Sequence, residues 1–411
     1  MKIAVANWSS RRAGGVESYL AEVVPLLMSR GHQIALVTEI DEPSARESIV
    51  PPGVALDLCV RRHGREALLT ALRQWNPDVV FTHQLHDLEL ERALGSVAPA
   101  VAFGHAYYGT CISGSKTHRL PSVHPCSRQL GPGCLVHFYP NRCGGLNPLT
   151  TAKLYREQTA RRELMRSKFA VVTFSEHMAQ EYGRHGMRAT RVWRSLPDDP
   201  AVSVPGPSAE RRAPSSDEPW QLMFLGRFDY LKGVDVLLDA VAILATRRQH
   251  RIVVSLVGDG GERERIASRA LSIEAAHPHV SLELPGWLSG AELEREWARA
   301  HALIVPSVWP EPFGLVGIEA GRRGLPVVAF GVGAIPEWLD DGVNGVMVEL
   351  RGRSAENLSR GVERIFSDEN AWRTMSAAGR RLSGRFSMAN HLAPLEEVLE
   401  HAARSRPGVL R

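Results

Sequence analysis

Short apolar runs alternate with helical patterns along almost the whole chain. Residues 2–7 read as a first buried strand, and Gly14-Gly15 opens a helix reaching about residue 30. Residues 33–38 form the next strand, and further strands fit 54–59, 78–82, 99–104, 169–174 and 189–193. These runs are apolar throughout rather than at alternate positions, so both faces are buried. With helices between them they predict a parallel sheet covered on both sides. The rhythm breaks at Leu196-Pro197-Asp198-Asp199-Pro200 and restarts after Ser215-Ser216-Asp217-Glu218-Pro219. Strands then fit 220–225, 251–257, 280–284, 301–305 and 325–330, and 354–402 is helical. The expectation is an α/β protein of two doubly wound, Rossmann-like domains facing a central cleft, with ligands beyond the carboxyl ends of the strands. The expected boundaries are 1–198 with an insertion at 105–148, a linker at 199–219, a second domain at 220–385, and a final helix at 386–411 that packs back on the first domain.

Composition narrows the class. With 411 residues, 44% hydrophobic and 23% charged, the chain is neither disordered, collagenous nor a coiled coil. A net charge of +4 is too mild to imply a nucleic-acid partner, and none is expected. No segment approaches the roughly 18 apolar residues of a spanning helix. The apolar run at the amino terminus is too short for an export signal. The expected location is the cytoplasm, where cysteines stay reduced or bind metal. Of the 49 basic residues only five are lysine: Lys2, Lys116, Lys153, Lys168 and Lys232.

Two segments carry candidate chemistry. Phe224-Leu225-Gly226-Arg227-Phe228-Asp229-Tyr230-Leu231-Lys232-Gly233 follows a strand and opens a helix. Gly226 permits a sharp turn. Arg227 and Lys232 stand near a helix amino terminus, where the peptide dipoles favour an anion; a guanidinium fork and a mobile ammonium suit a diphosphate. The second segment runs Pro306-Ser307-Val308-Trp309-Pro310-Glu311-Pro312-Phe313-Gly314-Leu315, with Glu319 four residues on. The amides of Phe313, Gly314 and Leu315 would open a helix. Glu311, held between two prolines, can accept hydrogen bonds from sugar hydroxyls. Glu319, about two turns in, can take the paired hydroxyls of a ribose.

In these segments the chain resembles the GT-B glycosyltransferases of family 4, retaining enzymes that use nucleotide sugars. The matching pieces are Gly14-Gly15-Val16-Glu17, Gly226-Arg227 with Lys232-Gly233, Val257-Gly258-Asp259-Gly260, Pro285-Gly286-Trp287-Leu288, the Glu311/Glu319 pair, and Gly324-Leu325-Pro326-Val327-Val328-Ala329. The resemblance implies that Arg227 and Lys232 hold the donor diphosphate. It implies that Glu311 and the 313–315 amides hold the transferred sugar, and that Glu319 holds the ribose. By the same resemblance Leu288 meets the base through its backbone, Gly14 and Gly15 approach the phosphates, and His105 contacts the sugar near the reacting carbon. One departure stands out: the Asn-Gly-Val-Asp of many relatives is replaced by Trp193-Arg194-Ser195-Leu196-Pro197-Asp198-Asp199.

No two of the fourteen aspartates stand two apart, so the Asp-x-Asp signature of a diphosphate-bound cation is missing. Cations and helix termini can neutralise a leaving diphosphate instead, and catalysis is expected to require no cofactor. The resemblance implies front-face displacement. The donor is expected to be a UDP-, GDP- or other nucleoside-diphosphate sugar, and the acceptor a glycan, lipid-linked or small-molecule hydroxyl. The alternatives are an epimerase or hydrolase of sugar nucleotides, or a non-catalytic partner protein, on the same fold.

The insertion 105–148 breaks the strand–helix rhythm and holds Cys111, Cys126, Cys134 and Cys143. Three readings compete: a structural zinc bound by all four, two disulfides, or packed thiols. No Cys-x-x-Cys knuckle is present. Tyr107, Tyr108, Lys116, His118 and Arg119 are candidates to meet a polar or anionic acceptor. His83 and His86 read as cleft-edge or structural residues. Arg156, Arg161, Arg162, Arg166 and Lys168 give the helix near 150–167 a basic face, a candidate for peripheral contact with anionic headgroups or a plain solvated face.

Overall fold

The computed structural model describes residues 1–12, 14–41, 47–193, 212–215 and 217–405. Most of the expected linker, and residues 194–199 of the departing segment, lie outside them. The chain divides into two compact units. One comprises Met1–Gly114, Ser127–Pro197 and Met388–Arg411; the other comprises Ser115–Cys126 and Asp198–Ser387. The assignment of Ser115–Cys126 to the second unit differs from the expectation that all of 105–148 belongs to the first.

The first unit carries β1 (Lys2–Ser9), β2 (Gln33–Ile40), β3 (Leu56–Cys59), β4 (Val79–His83) and β5 (Ala100–Phe103). A short antiparallel hairpin, β6 (Thr117–His118) with β7 (His124–Pro125), falls in the second unit. The first sheet resumes with β8 (Phe169–Thr173) and β9 (Ala189–Arg191). Its order is β3-β2-β1-β4-β5-β8-β9, with every neighbouring pair parallel. Ile3, Ala4, Val5 and Ala6 are fully buried, and Ile3 lies opposite both Ile34 and Val79. Helix Met388–Arg404 belongs to this unit, where the Tyr19 hydroxyl meets His391 Nε2 at 2.8 Å and Glu396 meets His32 at 3.0 Å.

The second unit repeats the winding with β10 (Trp220–Leu225), β11 (Ile252–Val257), β12 (Val280–Gly286), β13 (Ala302–Val305), β14 (Val327–Phe330) and β15 (Gly345–Val348). The order is β12-β11-β10-β13-β14-β15, again all parallel. Strand β15 is not visible as an apolar run, because it is a four-residue edge strand opening with Gly345. In each sheet the strand order reverses once: between β1 and β4 in the first, between β10 and β13 in the second. At such a point the loops leaving adjacent strands part in opposite directions and leave a crevice.

Candidate functional site

The loops that leave β10 and β13 meet at the reversal point of the second sheet. After Gly226 the chain makes a 3-10 turn, Tyr230–Lys232, whose amino end is capped by Asp229: its carboxylate accepts from the Leu231 and Lys232 amides at 3.0 and 3.2 Å. Gly233 follows in the left-handed region at φ +70°, and helix Val234–Arg247 begins. A Cβ on Gly233 would lie 1.9 Å from the Pro306 carbonyl oxygen. The two loops are therefore in backbone contact, and the Val308 amide donates to the Leu231 carbonyl at 2.9 Å.

This contact brings Lys232 to Glu311. The Lys232 ammonium donates to Glu311 Oε1 at 2.7 Å, and the Ser307 hydroxyl donates to the same oxygen at 2.6 Å. Lys232 also lies 5.4 Å from the centre of the Trp309 ring. Glu311 is 5% exposed. Burial alone would raise its carboxyl, but the charge and hydrogen bond of Lys232, together with Ser307, outweigh it and hold the group below the usual carboxylate range. The Glu311 backbone is fixed from behind, its carbonyl accepting from the Ala334 amide at 2.8 Å.

The neighbouring predicted residues are arranged around this pair less tightly. Arg227 is largely exposed and stands 3.2 Å from Asp229. Phe313 is buried, and its carbonyl accepts from the Trp338 indole N–H at 2.6 Å. Gly314 caps helix Leu315–Arg322, which carries the half-buried Glu319. A Cβ on Gly317 would overlap the Trp338 ring at 2.0 Å, so the helix start is seated on that indole. Leu288 is half-buried on the loop after β12, which is tied to the loop after β11 by the Gly258 amide donating to the Gly286 carbonyl at 2.9 Å. Sequence reasoning missed Ser307 as a partner of Glu311 and Trp338 as the seat of the helix. Ser307 is legible in the quoted motif; nothing in the sequence marks Trp338.

In the first unit, Gly14 and Gly15 open helix Gly15–Ser29 after β1, and a Cβ on Gly15 would meet open space. His83 ends β4 and His105 follows β5, with 2.8 Å between His83 Nδ1 and His105 Nε2. His105 stacks on Phe103 with ring centres 4.5 Å apart. His83 is fully buried, and its Nε2 has no hydrogen-bond partner. A buried N–H without an acceptor is rarer than a buried acceptor without a donor. Placing the His83 proton on Nδ1, as a donor to His105 Nε2, is the assignment that leaves His83 no buried N–H without an acceptor. The structure thus gives His83 a partner that its spacing from His86 did not reveal.

Burial pushes the His83 imidazole down to about 3. Unfolded chain takes up a proton on this side chain below about pH 6.5, and folded chain does not until near pH 3. Between those limits the unfolded state binds more protons, so stability falls as pH falls, by about 1.4 kcal/mol per pH unit from this group. Urea melts at pH 7, 6 and 5 should show the loss, and His83→Phe should flatten it. An unchanged slope in the variant would remove His83 as its origin.

The insertion, which breaks the strand–helix rhythm, has a small apolar cluster of its own. Helix Pro132–Phe138 and the turn after it build a small cluster of Ile112, Leu130 and Phe138, with Cys134, Cys143, Leu154 and Tyr155 packed against it. Among the described residues no group of three or more His, Cys, Asp or Glu is placed to hold a metal. All five cysteines stand as thiols, and Cys126 lies in the other compact unit from Cys111, Cys134 and Cys143. The residues do not fit a four-cysteine zinc site, because no three possible ligands come together among the described residues and Cys134 and Cys143 serve as apolar packing. Tyr107 is fully buried with its hydroxyl 2.7 Å from His177, and Tyr108 meets Gln84 at 2.7 Å. Lys116 is buried, and Arg119 stacks on Tyr230 at 3.8 Å, within the second unit. The helix Pro148–Lys168 does not present a uniform basic face either. Arg161 is buried against Glu91 at 2.8 Å, and Arg162 donates to the Leu130 carbonyl at 2.7 Å.

Two family models match the chain: Glycosyltransferase Family 4 over residues 13–194 and Glycosyl transferases group 1 over residues 208–382. The chain belongs to these glycosyltransferases. It is similar to the D-inositol 3-phosphate glycosyltransferase of Thermobifida fusca, 29% identical over 390 residues, covering 89% of this chain and 84% of that one. A glycosyltransferase of Methanocaldococcus jannaschii is 31% identical over 152 residues, 37% of each chain, so that match spans well under half of the relative. The fold is that of HepE from Anabaena, solved with UDP and glucose, at a TM-score of 0.66, 18% identity, and coverage of 97% of this chain and 99% of that one. The architecture is GT-B, two Rossmann-like parallel-sheet domains.

Proposed function

We propose that this glycosyltransferase moves a sugar from a nucleoside-diphosphate sugar to a hydroxyl acceptor with retention at the anomeric carbon. The observation that carries the reading is the Lys232–Glu311 pair at the reversal point of the second sheet. One Lys232 N–H is given to Glu311, and two remain for phosphate oxygens. Arg227 adds a planar fork from the same loop. Glu311, Phe313, Gly314 and Leu315 hold the transferred sugar, Glu319 the ribose and Leu288 the base. In the first unit, His105 contacts the sugar and Gly14 and Gly15 approach the phosphates. HepE, whose solved forms include one with UDP-glucose, supports a uridine donor.

In the proposed step the acceptor oxygen forms its bond to the anomeric carbon on the face the diphosphate leaves. The bonding pair departs with the diphosphate, and the acceptor proton passes to a departing phosphate oxygen. Arg227 and Lys232 stabilise the charge that grows there, and positioning supplies much of the rate. The acceptor is a hydroxyl of a glycan, a lipid-linked glycan or a small molecule. No helix of the described residues is long and apolar enough to cross a membrane.

A thermal-shift screen of UDP- and GDP-sugars tests the donor. A ligand at about 100 times its Kd stabilises the folded state by about 2.7 kcal/mol. At least one should raise the melting point, and proton NMR of the product should show the donor's anomeric configuration. An inverted product, or no shift with any nucleotide sugar, would overturn the proposal.

A further inference from the structure

We propose that the outer face of the insertion is a docking surface for an anionic lipid bilayer. Nine large hydrophobic residues are exposed among the described residues, and five of them fall within 135–149: Leu135, Val136, Tyr139, Leu146 and Leu149. Val136 is 71% exposed and Leu149 82%. They lie on the two helices that contribute to one small core and on the turn between those helices. Helix Pro132–Phe138 supplies Phe138 to that core, and helix Pro148–Lys168 supplies Leu154 and Tyr155. The turn between them is held by the Cys143 amide donating to the Phe138 carbonyl at 2.9 Å and by Asn147 capping the second helix.

Charge selects the occupant. From Arg92 to Arg156 the sequence holds no Asp or Glu, although 45 acidic residues are spread through the chain. The charged residues nearest the exposed apolar side chains in sequence are mostly cations: Arg128, Arg142 and Arg156, all exposed, and Lys153, which pairs with Glu157 at 3.7 Å. Basic residues beside protruding aliphatic side chains and a tyrosine match an anionic interface, where headgroups meet the cations and the side chains enter the acyl boundary. Nucleic acid would use the cations but gain nothing from Val136 or Leu149, which cannot stack on bases. The surface shares Arg156 with the basic face first expected on the helix near 150–167, of which Arg161 is buried. It does not depend on the proposed donor or acceptor.

The test is co-sedimentation of the full chain with vesicles of phosphatidylcholine alone, or of phosphatidylcholine with phosphatidylglycerol. Binding is expected with the anionic vesicles only, and should weaken as salt rises. The double variant Val136→Ser/Leu149→Ser should lose about a hundredfold or more in partitioning, as two buried aliphatic side chains imply. Arg142→Gln/Arg156→Gln should lose about thirtyfold, since each basic residue near such a surface is worth about 1 kcal/mol. All four positions are exposed, so unchanged melting curves should accompany both losses. The proposal is overturned by failure to bind anionic vesicles, or by binding that both variants leave intact. It is equally overturned by a shift from dimer to monomer in Val136→Ser/Leu149→Ser, which would mark the face as a contact between copies, or by duplex RNA binding without vesicle binding.

Discussion

Lys232→Met should lower turnover about 10²- to 10³-fold, the usual cost of removing one preorganised charge-stabilising donor. The same change leaves Glu311 buried without its countercharge, and breaking such a pair from one side costs up to about 3–5 kcal/mol. Lys232 is itself partly exposed, so the lower end is expected here. A falling melting point alone would therefore not separate catalysis from folding. Glu311→Gln on the Lys232→Met background removes the orphaned charge while keeping the shape. That double variant should recover most of the lost stability and none of the lost turnover. Steady-state kinetics beside urea melts of the two single variants and the double variant resolve the two effects. If Lys232→Met keeps near-normal turnover, the assignment of Lys232 to the diphosphate is wrong.

Gly233→Ala is expected to be the most damaging small substitution in the second unit. The residue sits at φ +70°, which costs an L-residue roughly 1–2 kcal/mol by itself. Its Cβ would also stand 1.9 Å from the Pro306 carbonyl, so the two loops must separate. Separation would break the Val308–Leu231 hydrogen bond and draw Lys232 away from Glu311. The combined loss should be on the order of 3 kcal/mol or more, within the range reserved for core and backbone lesions. Gly31→Ala is the matched control, since Gly31 has φ +88° and open space around its Cβ. It should show the conformational cost alone and leave donor binding intact. Equal urea midpoints for the two variants would show that the loop contact is not tight.

The strands legible in advance were those whose apolar runs carry their own signal. β1, β10 and β13 are buried on both faces, so their composition announces them. β15 and the hairpin β6–β7 were not legible, because two to four residues at an edge bury too little to leave a pattern. The motif residues were legible as types at spacings suited to phosphate and sugar. Tyr107 and Arg161 were misread as surface groups. A tyrosine hydroxyl or a guanidinium looks polar in sequence whether or not a buried partner such as His177 or Glu91 awaits it.

By itself the sequence determined the two-fold repetition of strand and helix, the position of the glycine turns and the inventory of charges, all of which depend on neighbours a few residues apart. Only the tertiary structure decided that Lys232 meets Glu311, 79 residues away, and that His83 lies within hydrogen-bond distance of His105. It also decided that the cysteines of the insertion are not gathered as ligands. Those outcomes follow from which strands lie side by side and where the sheet order reverses. Long-range pairing sets that order, and no local pattern encodes it.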